Sequence, residues 1–431
     1  RMTAAYRRFM SRLIAEPRAR WTFLIGVAVL LVLAVLTVQG CKLLSICNME
    51  RRFVLAPTTI LAQQHLTTFR ERYGDAYLAY ADLLIRTAKG RDTAARQALL
   101  REARDMAELT KLVEATDYFR DPCVGAGVVS KPIEQVDAAA VTLYPLVFAD
   151  RIELLVGLGA RLEVVSVPAT RDALAKNVDD FRGLLEKRTT AQFMRPARRL
   201  YDQLIRPIEH FLPAQTAGTL VVIPDALLRG IPFSALHDGR QFLVEKVAVG
   251  TTVSISLTEP RRIDAQSLNA AVLGLTEARF GFSGLPAVKE ETVRVGEFLR
   301  TAPRLDQAFT REQLIGQLQM SRPSVVHIAS HGQFARDPRD SFLLTYDAKL
   351  DLDSLRRALA VGGSAGARGD SRSMELLMLS ACQTATGDER AAMGLAGVAL
   401  RSGARSALAS LWFVNDESTA ELSARFYQAL V

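Results

Sequence analysis

The sequence predicts an α/β protein built on a mostly parallel sheet flanked by helices, preceded by an N-terminal transmembrane helix and a helical hairpin. Three observations carry this. Glu375 to Glu417 reads as strand, sharp turn, helix and strand. Glu375–Leu379 reads as a short apolar strand, Asp388 stands where a helix N-cap belongs, Arg390–Arg401 is alanine-rich, Gly403 suits a left-handed C-terminus, and Arg405–Trp412 returns as a second apolar run. A strand–helix–strand unit of that length is a parallel crossover. Upstream, Ser324–Ala329 repeats the strand pattern and ends in Ser330-His331-Gly332. Far from both, Trp21–Cys41 contains no charged residue.

A chain of 431 residues with 49% hydrophobic and 23% charged residues has material for two or three domains with a substantial core. Its net charge of +8 invites a nucleic-acid reading, but residues 1–20 hold six arginines against Glu16 and leave only +3 for the other 411 residues. The basicity belongs to the N-terminal flank, so no nucleic-acid partner is expected. The four cysteines, Cys41, Cys47, Cys123 and Cys382, form no CxxC and no cysteine–histidine spacing suited to zinc, and no metal or cofactor is expected.

In chain order, residues 1–20 are a basic flank and residues 21–41 an apolar run long enough to cross a bilayer as a helix. The preceding arginines place the N-terminus in the cytoplasm and the main domain on the far side. Lys42, Arg51 and Arg52 oppose that orientation. A signal peptide, or lipidation of Cys41, is the competing expectation, which would leave a secreted or lipid-anchored protein.

Residues 42–120 comprise a linker and a helical hairpin. Tyr77, Leu78, Tyr80, Ala81, Leu83, Leu84 and Ile85 recur at helical spacing. After a break at Lys89-Gly90-Arg91 the pattern resumes through Leu99, Leu100, Ala103, Met106, Leu109 and Val113. One hairpin cannot bury a solenoid core, so it is expected to pack on the domain that follows. It is also a surface for a regulatory protein, the alternative being a plain spacer.

Within residues 121–265, Val141–Phe148, Arg151–Leu158 and Arg161–Val167 are short runs with tight connections, which predicts a β-meander. Helices over Thr170–Lys187 and Pro196–Phe211 follow, then strands at Thr219–Pro224, Pro232–Leu236 and Phe242–Val249. Nothing here gathers a polar cluster fit for chemistry.

Residues 266–431 open with a buried strand at Ala270–Leu275 and helices over Pro286–Leu299 and Arg311–Gln319. The His331 strand, a strand at Ser341–Tyr346, a helix over Asp353–Ala360 and a Gly/Ser loop over Gly362–Ser373 lead to the Cys382 strand. That loop suits gating of a neighbouring site, or is a tolerated surface insertion. An apparent final helix runs over Asp416–Val431.

Chemistry in open parallel sheets collects at the carboxyl ends of the strands, which is where His331 and Cys382 fall. Adjacent strands lie about 4.8 Å apart. If these two are neighbours, imidazole and thiol can meet. Histidine supplies the base or cation that a thiolate needs. The amides of Gly332 and Cys382 are candidate oxyanion donors.

HIASHGQF, LMLSACQTATGD, AAMGLAGVALRSGARSALASLW and LVVIPDALLRGIPFSAL together resemble the CHAT family of caspase-like cysteine proteases, grouped with caspases, separases and gingipains. The resemblance runs from about Asp117 to the end. It implies a caspase-like fold, with 121–265 as a pseudo-caspase half supporting a catalytic half in 266–431. It implies His331 and Cys382 as a catalytic dyad, Gly332 as the oxyanion-hole glycine, and a short repeat-like hairpin before the domain. Asp225-Ala226 and Asp347-Ala348 depart from it where Asp-Gly is expected.

Around the dyad, Asp388 is either a helix cap or a pocket wall selecting a basic residue before the scissile bond. Trp412 and Asp416 follow the last strand, beside which, by the same resemblance, an extended protein substrate pairs by β-augmentation. Trp412 reads equally as a core aromatic. The expectation is a membrane-anchored cysteine endopeptidase under the control of a partner or signal. The alternatives are a catalytically silent signalling scaffold on the same fold and, more weakly, a redox-sensing Cys382.

Overall fold

The computed structural model describes residues 76–119, 137, 139–187, 189–213, 218–257, 263–333, 340–351, 354–355, 374–381, 404–410 and 414–431. The apolar run 21–41, the Gly362–Ser373 loop, the helix over Arg390–Arg401, Cys382, Asp388 and Trp412 lie outside the described residues, as does most of the expected Asp353–Ala360 helix. Among the described residues no helix is long and apolar enough to cross a membrane.

Helix α1 (residues 76–88) and helix α2 (Thr93–Phe119) turn about Gly90, whose φ of +79° is left-handed. Strands β1 (Val141–Val147), β2 (Arg151–Leu158) and β3 (Arg161–Pro168) form the expected meander, antiparallel throughout. Every residue of β1 is buried, because helices cover both sheet faces. Alternation sends Leu143 to one face and Tyr144 to the other. Leu143 packs with Leu174, Val178 and Phe181 of α3 (Arg171–Leu185) and with Leu200 and Leu204 of α4 (Met194–Leu204). Tyr144 packs with Ala81, Leu84 and Ile85 of α1 and with Leu100 and Ala103 of α2. The hairpin is therefore the second helical layer of this sheet.

Polar clamps fix it there. The Gln97 side-chain amide donates to the Leu162 carbonyl at 2.8 Å and accepts from the Leu162 amide at 2.9 Å, covering the edge strand β3. The buried Glu108 carboxylate accepts from Ser254 Oγ at 2.5 Å and from the amides of Ile255 and Ser256 at 3.2 and 3.0 Å.

Strand β4 (Thr219–Val222) joins β1 in parallel. Two expected strands are corrected. Pro232–Leu236 holds a 3-10 turn over Phe233–Ala235, since Pro232 has no N–H for a ladder. Phe242–Val249 begins as one helical turn, α5 (Leu243–Lys246), because the Glu245 carboxylate accepts from the Phe242 amide at 2.6 Å. Only its end joins a strand, β5 (Ala248–Thr251), parallel to β4. The sheet order is β3-β2-β1-β4-β5, so this sheet is mixed rather than mostly parallel. The tight meander connections are too short for crossovers and force antiparallel pairing.

The second half has the expected parallel architecture. Its elements are β6 (Ala270–Gly274), α6 (Ala287–Leu299), β7 (Arg304–Leu305), α7 (Arg311–Ser321), β8 (Val325–Ser330), β9 (Gly332–Gln333), β10 (Phe342–Leu344), β11 (Lys349–Asp351), β12 (Leu376–Ala381), β13 (Ser406–Ala409) and α8 (Asp416–Leu430). The main sheet runs β13-β12-β8-β6-β7, parallel at every pairing. Leu314 and Leu318 of α7 pack on the face carrying Val326, Ile328, Leu377 and Leu379. On the other face, Val295 and Leu299 of α6 and Tyr427 of α8 pack with Val272, Val325 and Met378. Chain order reverses direction between β6 and β8, the kind of switch point at which such sheets open a crevice.

Candidate active site

Strand β8 lies between β6 and β12, and its last paired residue, Ser330, faces Ala381 at the end of β12. His331 follows Ser330 and is 5% exposed. Its Nε2 lies 2.7 Å from the carbonyl oxygen of Ser283. A carbonyl only accepts, so Nε2 carries the hydrogen and Nδ1 is the nitrogen left for proton exchange. Phe282 lies against the ring, centroid to centroid 5.0 Å.

The loop that presents Ser283 leaves the carboxyl end of β6 and is tightly built. The Asp306 carboxylate accepts from the Thr276 amide and hydroxyl, both at 2.7 Å, and from the Glu277 amide at 3.1 Å. The Leu285 amide closes the loop on the Thr276 carbonyl at 3.0 Å. Inside it, Phe280 and Gly281 have φ of +51° and +84°, and the Phe282 amide donates to Arg279 O at 2.9 Å. That is a turn with both central residues left-handed, unfavourable for a phenylalanine. The Arg279 guanidinium sits 3.8 Å over the Tyr346 ring and anchors the turn.

Gly332 opens β9 opposite Leu343 of β10. The Leu344 amide donates to the His331 carbonyl at 2.8 Å. By the alternation of an antiparallel ladder, Gly332·Leu343 is a pair without mutual hydrogen bonds, and its amide turns away from β10.

Asp416 begins α8, behind the N-cap Asn415, and its carboxylate accepts from the Ala287 amide at 2.9 Å. It thereby caps α6, whose N-cap position is held by Pro286. Burial pushes its pKa up, and the Ala287 amide pulls it part of the way back.

Sequence reasoning missed two groups here. One is the Ser283 carbonyl, which no side-chain motif reveals; the turn-rich Phe280-Gly281-Phe282-Ser283-Gly284 at a strand end was its only signal. The other lies beneath the site. His327, on β8 and fully buried, has Nε2 3.4 Å from Glu291 Oε1, a charge contact without hydrogen-bond geometry. Ser423 Oγ donates to the same Glu291 oxygen at 2.6 Å. Burial would raise the Glu291 pKa, but His327, Ser423 and Ser380 outweigh it and hold it below the usual carboxylate range.

The two Asp-Ala departures are accommodated. Asp225 accepts from the Leu227 amide and Asp347 from the Arg311 amide, while neither Ala226 nor Ala348 has the positive φ that would require glycine.

Fold and site together define an α/β protein with a buried histidine, its ring oriented by a backbone carbonyl, at the carboxyl end of a parallel sheet. The CHAT domain family model matches residues 194–431, more than half of the chain, and the chain belongs to this caspase-like, protease-related family. The match begins at the first residue of α4, later in the chain than the motifs' resemblance suggested. No curated protein matches the chain.

Proposed function

We propose that this protein is a cysteine endopeptidase using His331 and Cys382 as its dyad. One observation carries the reading: β8 and β12 are adjacent, parallel and in register up to Ser330 and Ala381, and His331 and Cys382 are the next residues of each chain segment. His331 Nδ1 takes the thiol proton and returns it to the leaving amine. The thiolate attacks the peptide carbonyl, the amides of Gly332 and Cys382 receive the oxyanion, and water releases the acyl-enzyme.

The substrate binds as an extended strand. Strand β13 supports this, since it ends the sheet and presents an outer edge among the described residues. Asp416, Asp388 and Trp412 are assigned to the substrate pocket. Residues 21–41, uncharged throughout, are assigned to a bilayer. The outward face of the hairpin, where Tyr80 and Leu83 are 42% and 58% exposed, is assigned to a regulatory protein.

A peptidyl electrophile should modify Cys382, and His331→Ala should abolish that modification. Comparison of cleaved peptides in cells carrying Cys382 or Cys382→Ala identifies the substrate. Cleavage undiminished in Cys382→Ala refutes the dyad.

A further inference from the structure

The Glu291 carboxylate is a buried charge that the proposed chemistry does not use. It projects from α6 and is 1% exposed. Its Oε1 lies 3.4 Å from His327 Nε2 on β8 and accepts from Ser423 Oγ on α8 at 2.6 Å, and Ser380 on β12 helps to lower its pKa. Tyr427, also on α8, reaches His327 Nδ1 at 3.4 Å with its hydroxyl. Asp416 is the other carboxylate whose field overlaps that of Glu291.

The placement of these partners is selective. His327 precedes His331 by four residues and Ser380 precedes Cys382 by two. Within the strands, His327 shares a face of β8 with Val325, and Ser380 shares a face of β12 with Met378. That shared face is the one under α6 and α8, because Val325 and Met378 of the same alternation pack there. One carboxylate of α6 therefore lies on the face shared by the two strands that lead to the dyad and is bonded to α8. The helices are joined again above it, where Asp416 of α8 caps α6. A purely apolar contact at this depth would fill the space without fixing direction, whereas the Ser423 bond to the charged oxygen fixes distance and angle, and His327 is held against that same oxygen.

We propose that Glu291 is a positioning residue for the His331–Cys382 pair, holding the ends of β8 and β12 in the mutual register that lets imidazole and thiol meet. This rests on the dyad reading above.

The probe is iodoacetamide, applied to the full chain at pH 6.5 and well below the melting temperature, with Cys382 alkylation followed by peptide mapping. His331→Ala sets the rate of an unassisted thiol. Wild type should exceed it, and Glu291→Met should fall roughly tenfold from wild type toward it, the order expected for misplacing a reacting group by a fraction of an ångström. A Glu291 that only stabilises the fold lowers the melting temperature and leaves this rate unchanged. Should Glu291→Met fail to fold, Ser423→Ala removes one bond and keeps the charge, and should lower the rate about threefold. Wild type faster than His331→Ala, with the folded variant equal to wild type, overturns the positioning role alone. Wild type no faster than His331→Ala overturns the dyad and this inference with it.

Discussion

The carbonyl oxygen of Ser283 lies 2.7 Å from Nε2 of His331 and fixes which ring nitrogen faces the crevice. The contact spans two strand ends, since Ser283 follows β6 and His331 follows β8. Its geometry depends on the loop that Asp306 holds.

Asp306→Ala should therefore impair both stability and the Cys382 reaction. Three hydrogen bonds to its carboxylate are lost, at a cost of about 2–3 kcal/mol. Urea unfolding measures the first effect, and peptidyl-electrophile labelling of Cys382 the second. Labelling at the wild-type rate would mean the loop does not govern His331.

Gly281→Ala isolates backbone from packing. A Cβ at Gly281 meets nothing within 4 Å, but its φ of +84° is left-handed. The cost should be about 1–2 kcal/mol, with labelling of Cys382 reduced as Ser283 shifts. An unchanged melting curve would contradict the strain argument.

Glu291 gives a pH signature in stability. Its folded pKa lies below the ordinary 4.5, so the carboxylate stabilises the protein above that pH and loses the contribution as pH falls through its folded value. Glu291→Gln should be less stable than wild type at pH 7. The difference should shrink steadily in acid below about pH 4.5. A difference independent of pH would show that the charge plays no part.

Asp416 has the opposite sign. Burial raises its folded pKa above 3.8, so its ionisation costs stability as pH rises through that window. Asp416→Asn keeps an acceptor for the Ala287 amide and removes the half-buried charge. It should be at least as stable as wild type at pH 7, as read by thermal melting. A lower melting temperature at pH 7 would show that the charge at the α6 N-terminus matters more than its desolvation.

Glu108→Ala tests the hairpin as a layer of the fold. Loss of the bonds to Ser254, Ile255 and Ser256 should cost about 2–4 kcal/mol in a single cooperative transition. A separate early transition would instead mark the hairpin as an independent unit.

Much of this architecture was legible in the sequence where local pattern and global packing agree. The meander, the Thr170-capped helix and the strands before His331 and Cys382 each combine an apolar run of the right length with turn residues at its ends. The failures fall where an apolar run was short. Phe233 and Leu243 are buried as strand residues would be, yet sit in a 3-10 turn and a helical turn. Burial alone does not distinguish these, and the deciding groups are a missing proline N–H and one glutamate bonding a backbone amide. His327 stood in plain view in the His331 strand, but its partners come from α6 and α8, far away in sequence.

By itself the sequence determined most of the element types, the parallel character of the second half, and the location of His331 and Cys382 just past two apolar strands. These follow from side-chain periodicity and turn chemistry, which act over a few residues. Only the tertiary structure decided that β8 and β12 are neighbours ending at Ser330 and Ala381, that a Ser283 carbonyl orients the imidazole, and that Glu291 lies beneath both strands. Those facts depend on which segments distant along the chain pack together. Backbone carbonyls and strand order leave no mark in residue identity, because every residue carries the same carbonyl and any parallel strand can pair with any other.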